Sequence, residues 1–172
     1  MRENVNRRVE WRDVELNGVE IIALCGRSGY GKSAVLKLLC RTLHNRGASW
    51  VFPRSYKAIR YEPTTTGDCT VVVEYRGCLV GIRTQGDDPV TIFDSIKGFS
   101  RRHVRIGVMA VRTCTANGLR SDASEAFDMA QSVLRFNAVR MQIGDRQLRL
   151  VSDEQFVVDE ILASIDAMIA VA

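Results

Sequence analysis

Gly26-Arg-Ser-Gly-Tyr-Gly31-Lys32-Ser33 satisfies the pattern G-x-x-x-x-G-K-[ST] at every fixed position. Before it runs Val19-Glu-Ile-Ile-Ala-Leu-Cys25, almost entirely apolar, as expected of a strand buried on both faces. After it, Val35, Leu36, Leu39 and Leu43 recur at helical spacing, with Lys37, Arg41 and Asn45 turned away. A strand, a glycine-rich turn and a helix in that order make a specific arrangement. Glycines let the backbone curl so that its N–H groups converge on an anion at the positive end of the helix. Lysine adds a point charge and the serine hydroxyl an oxygen donor.

Outward from this stretch the chain alternates strands and helices. Val14-Glu-Leu16 and Val19–Cys25 flank Asn17-Gly18 and read as a hairpin. The helix from Ser33 to about Arg46 stops at Gly47. Ser49-Trp-Val-Phe52 reads as a short strand ended by Pro53, and Arg54 to Gly67 as a long polar loop. Thr70–Tyr75 and Cys78–Ile82 flank Arg76-Gly77 and form a second hairpin. Asp88-Pro89 opens a helix whose apolar face is Ile92, Phe93, Ile96 and Phe99.

Val104 to Val111 is a further apolar strand. Asp122 with Glu125 resembles a capping box for a helix burying Ala126, Phe127, Ala130, Val133 and Leu134. Val139, Met141 and Ile143 alternate with polar residues as in a half-exposed strand, and Gly144-Asp145 turns the chain into Leu148–Leu150. Ser152 and Gln155 cap a last helix carrying Val158, Ile161, Leu162, Ile165 and Ile169. The pattern predicts one α/β domain over residues 1–172, with 1–13 as an N-terminal extension. Its sheet is mostly parallel, with antiparallel hairpin strands at the edge.

Composition narrows the function classes. At 172 residues, 46% hydrophobic and 26% charged, the chain is long enough to bury a core and too ordinary to be disordered. It has no apolar run of about 18 residues and no apolar leader near Met1, so the expectation is a cytoplasmic protein without a membrane. Five cysteines without a Cys-x-x-Cys pair, and two histidines, argue against zinc. A net charge of +4 suits anionic ligands and weak nucleic-acid binding, but no run of basic residues supports nucleic acid as a partner. Arg101, Arg102 and Arg105 read as a solvated helix end, with a lid or a nucleic-acid patch as the alternatives.

The motif and its flanks resemble the P-loop nucleoside triphosphatase superfamily, closely from Val19 to about Gly47 and by α/β order beyond. The resemblance implies the three-layer fold of that superfamily. It implies that Gly26, Arg27, Ser28, Gly29, Tyr30, Gly31, Lys32, Ser33 and Ala34 cradle ATP or GTP, and that Ser33 helps hold magnesium (Mg2+). Superfamily members also place an acid at the end of a neighbouring strand. Glu74, Asp87 and Asp88 are the candidates here. In a hairpin only one strand ends at the ligand edge, and the one leading into the helix should be parallel to the first. That favours Asp87 for the metal, with Asp88 as helix cap. Arg112, ending the next strand with Thr113, is placed to neutralise charge in phosphoryl transfer or to pair with Asp87. Lys32, Asp87 and Arg112 are thus the candidate catalytic residues.

A looser likeness links Tyr75 to Thr113 with small, uncharacterised bacterial P-loop proteins. They share a hairpin ending in Gly-Asp, then a helix, then a strand ending in Arg-Thr. The first strand and motif are also similar to those of ABC-type ATPases, but no Leu-Ser-Gly-Gly follows. No Asn-Lys-x-Asp guanine-reading element occurs, so ATP is favoured over GTP. Hydrolysis that switches a loop or a protein partner is the leading expectation. Transfer to a small molecule or nucleotide, and NTP-dependent binding with little turnover, are the alternatives.

Overall fold

The computed structural model of the chain describes residues 14, 16, 18–27, 29–52, 70–114, 117–143 and 151–171. In order these form β1 (Glu20–Gly26), α1 (Lys32–Asn45), β2 (Ser49–Phe52), β3 (Thr70–Tyr75), β4 (Cys78–Arg83), α2 (Pro89–Arg101), β5 (Ile106–Arg112), α3 (Asp122–Leu134), β6 (Asn137–Gln142) and α4 (Val151–Ala170). The strands make one mixed sheet in the order β2-β3-β4-β5-β1-β6. β4, β5, β1 and β6 are parallel, while β3 is antiparallel to β4 and β2 to β3. The antiparallel strands therefore lie at one edge, as the hairpin at Arg76-Gly77 requires.

Alternation along β1 divides the core into two layers. Ile22 and Leu24 face α1 and α4, packing with Leu36, Leu39, Ile161 and Ile165. Ile21, Ala23 and Cys25 face α2 and α3, packing with Ile92, Ile96 and Phe127. Helices thus cover both faces of the sheet, and β1 is buried on both, in keeping with its unbroken apolar run.

One contact in the second layer is steric in origin. Gly81 of β4 and Gly107 of β5 are register partners, and Phe99 of α2 lies over both. A Cβ would come within 2.8 Å of the ring at Gly81 and 2.6 Å at Gly107. The two glycines make a dent in the sheet that admits the aromatic ring, 2% exposed. Phe99→Ala should cost about 3–5 kcal/mol, read as a fall in the urea midpoint, because backbone on two sides cannot collapse into the space.

Several local expectations are corrected by the tertiary arrangement. Both edges of β1 are occupied, by β5 and β6, so no hairpin arm can pair along it. Val14 and Leu16 lie in no strand, and their side chains are buried in the second layer instead. The cap of α3 is Ser121, whose side chain accepts from the Ser124 N–H; Asp122 is already helical. The buried stripe of α3 accordingly begins at Ala123, and Val133 is 50% exposed. α4 begins at Val151, so Ser152 lies within the helix and Gln155 donates to Asp159 rather than capping. The expected 1–13 extension, the Arg54–Gly67 loop and the turn to Leu148–Leu150 lie outside the described residues. No described helix is long and apolar enough to cross a membrane.

Candidate functional site

The carboxyl ends of β4, β5 and β1 meet at one edge of the sheet, and the glycine-rich segment stands on it. Neighbouring chain pins the end of β1: Thr113 N–H donates to Gly26 O at 3.1 Å, and Ile143 N–H to Cys25 O at 2.8 Å. The chain then reverses through Gly29 (φ 77°) and Gly31 (φ 94°), where a Cβ would be strained. Half-buried Tyr30 packs against the first core layer and anchors the turn. Gly31 is the N-cap of α1, and no side chain caps the helix. Its first turn carries no acid. The first N–H groups of a helix have no intrahelical acceptor, so α1 presents its positive end at this edge. Arg27 and Ala34 are exposed beside it, while Ser28 lies outside the described residues.

Lys32 lies inside the turn rather than over it, with 6% of the residue exposed. Its ammonium donates to Gly26 O at 2.9 Å and Arg27 O at 2.7 Å. Burial pushes its pKa down, with Asp87 pulling the other way and Arg112 reinforcing the fall. An ammonium has three protons, so two bonds leave one to donate. Cys25, beneath the turn, is held as a neutral thiol by burial.

The neighbouring strands supply the rest. Ser33 Oγ approaches the carbonyl of Thr84, just past β4, at 3.4 Å. Three residues on, Asp87 forms an ion pair with Arg112 Nη2 at 3.2 Å. Both readings of Arg112 placed it at this edge, and the pairing with Asp87 is the one present. Asp88 caps α2 by accepting from the Thr91 N–H at 2.9 Å, while its own N–H donates to Thr91 Oγ1. Glu74 pairs in register with Leu79 near the start of β4, at the opposite end of the sheet, which removes it from any site built here.

Residues with no motif of their own hold this edge together. Gly86 lies directly against β5, where a Cβ would be 1.6 Å from Ala110 O, and Gly86 O accepts from the Arg112 N–H at 2.9 Å. Ser121 Oγ donates to the carbonyl of Arg112, and Ser121 N–H to that of Thr113. Thr84 and Gly86 escape a sequence reading because their roles arise from contact with segments distant in sequence, and Ser121 because Asp122 beside it is an equally good cap residue. Among the described residues no group of three or more His, Cys, Asp or Glu gathers as a metal cluster.

No protein-family model, curated protein or solved structure matches the chain.

Proposed function

We propose that this chain is a P-loop nucleoside triphosphatase that binds Mg-ATP on the Gly26–Ser33 turn and hydrolyses its γ-phosphoanhydride. The observation that carries the proposal is the uncapped N-terminus of α1, with the Lys32 ammonium buried in the turn before it and Arg112 at the same edge. Backbone N–H groups with two fixed cations suit a polyanion far better than any neutral ligand.

In this reading the turn binds the β- and γ-phosphates, and the remaining Lys32 proton donates to a phosphate oxygen. Arg112 neutralises charge as the bond to the γ-phosphate breaks, which requires it to loosen from Asp87. Ser33 Oγ and the Asp87 carboxylate are the oxygens that would hold magnesium. Magnesium needs only one or two protein oxygens beside phosphates and water, so this pair suffices. When bound, the ion screens the charge between the phosphates. ATP is preferred to GTP because the chain has no guanine-reading element. A binding module with slow turnover is the second reading, favoured by the engagement of Asp87 with Arg112.

Phosphate release from Mg-ATP and Mg-GTP by the purified protein tests the proposal. Turnover without an added acceptor supports hydrolysis, and nucleotide binding without release shifts the assignment to the binding module or to a phosphotransferase. Asp87→Asn should lower magnesium-dependent turnover about tenfold or more while changing nucleotide affinity less, since charge at the metal acts mainly on the developing transition state. Equal losses in both would take Asp87 out of the metal role.

A further inference from the structure

We propose that the amino-terminal edge of the sheet, opposite the Gly26–Ser33 turn, binds the phosphate backbone of duplex nucleic acid. The inference stands apart from nucleotide binding and rests on a different set of residues. Among the described residues, three that are not glycine adopt a left-handed backbone: Arg76 (φ 50°), His103 (φ 54°) and Arg135 (φ 55°). Such a conformation costs a residue with a Cβ about 1–2 kcal/mol, and glycine, asparagine or aspartate usually takes it. Here all three are basic, in a chain of 172 residues with 24 lysines and arginines and 2 histidines.

The fold brings these residues to one place. Arg76 heads the β3–β4 turn, His103 closes α2, and Arg135 closes α3 just before β6. Arg105 precedes β5, and its N–H donates to Leu79 O at 2.9 Å. Glu20 of β1 is in register with both Ile106 and Asn137, so the approaches to β5, β1 and β6 share one end of the sheet. All four basic residues are exposed. From β3 to β6 the row crosses four strand spacings, or about 19 Å. A duplex carries one charge per about 1.7 Å, so such a row faces roughly five or six base pairs.

Among the described residues, the carboxylates at this edge are Asp166, shared between Arg76 at 3.0 Å and Arg46 at 3.6 Å, Asp159, whose charge also acts on Arg46, and Glu20 and Glu74. A single strand would want bare aromatic faces for stacking. The ring of Phe52 on β2 is already covered by the Arg102 guanidinium at 3.7 Å. Backbone phosphates of a duplex are the better fit.

The test is fluorescence anisotropy of a labelled random-sequence DNA duplex across about 50–200 mM salt. Wild type should bind, with affinity falling steeply as salt rises. The triple variant Arg76→Gly, His103→Gly, Arg135→Gly should unfold at the same temperature or higher, because glycine relieves the left-handed strain. It should bind the duplex about tenfold more weakly at the lowest salt, with the salt slope smaller by about two. Lys32→Met should bind the duplex like wild type, separating this face from the phosphate turn. If the triple variant does not fold, Arg76→Gln with Arg105→Gln, which removes two arginines of the same row, takes its place with the same expected loss. Absence of wild-type binding at low salt, undiminished binding by the variants, or a preference for phosphatidylserine vesicles over the duplex would each overturn the proposal.

Discussion

Lys32→Met should abolish measurable nucleotide binding while leaving the fold unfolding within a few degrees of wild type. A charge-assisted hydrogen bond to phosphate, lost together with the ammonium's Coulomb attraction, corresponds to a fall in affinity of at least about 100-fold. Stability should barely change, because neither carbonyl is orphaned. Gly26 O also accepts from Thr113 N–H at 3.1 Å, and Arg27 O from Tyr30 N–H at 3.4 Å. Methionine keeps the length of the stem that fills the turn. Titration with Mg-ATP and thermal unfolding of both proteins measure the two halves. Retained binding would remove the phosphate-cradle reading.

The same pair of proteins gives a pH test. Burial lowers the pKa of Lys32 in the folded state, so in alkaline solution the unfolded chain binds more protons at this site than the folded one. Wild type should therefore gain stability relative to Lys32→Met as pH rises through the folded value, the gain ending near the ordinary lysine value of about 10.4. Below that window both states of wild type are protonated and the difference is flat. A difference that falls with pH would mean the ammonium is stabilised, not penalised, inside the turn.

Gly86→Ala is the second large effect. The added Cβ would overlap Ala110 O at 1.6 Å and its carbonyl carbon at 2.4 Å, and both belong to the central strand β5. Neither backbone can yield without losing the Arg112 N–H to Gly86 O bond that joins the two strand ends. A destabilisation of about 3 kcal/mol is expected, lowering the unfolding temperature by roughly 6–12 °C. Whatever folds should also lose the 3.2 Å pairing of Asp87 with Arg112. An unchanged unfolding temperature would show that the β4–β5 ends are not in such contact.

Much of the layout was legible because it depends on local rules. The Arg76-Gly77 turn between two apolar runs predicted a hairpin, and antiparallel pairing then separated Glu74 from Asp87 without any structure. Asp88-Pro89 predicted the start of α2, since cap and first-turn proline act within four residues. The hairpin expected before β1 fails for a non-local reason. β5 and β6 arrive from far along the chain and take both edges of β1. At α3 the competition was local: Ser121 and Asp122 are both good caps, and bonds from Ser121 to Arg112 and Thr113 favour the earlier one.

By itself, then, the sequence determined the order of strands and helices from β1 to β6 and the last helix, though not the absence of a strand before β1, together with the glycine-rich turn after β1 and the candidate acid after β4. Backbone conformation, capping and hydrophobic period act over a few residues, and a chain carries those signals in its local composition. Only the tertiary structure decided that Lys32 is folded into its own turn, that Gly86 must lack a side chain and that Arg112 holds Asp87. It alone gathered Arg76, His103, Arg105 and Arg135 at the far edge of the sheet. The first of these facts is a short-range fold-back of Lys32 onto carbonyls five and six residues before it; the others depend on the distance between segments remote in sequence, which parallel pairing of β4, β5, β1 and β6 sets.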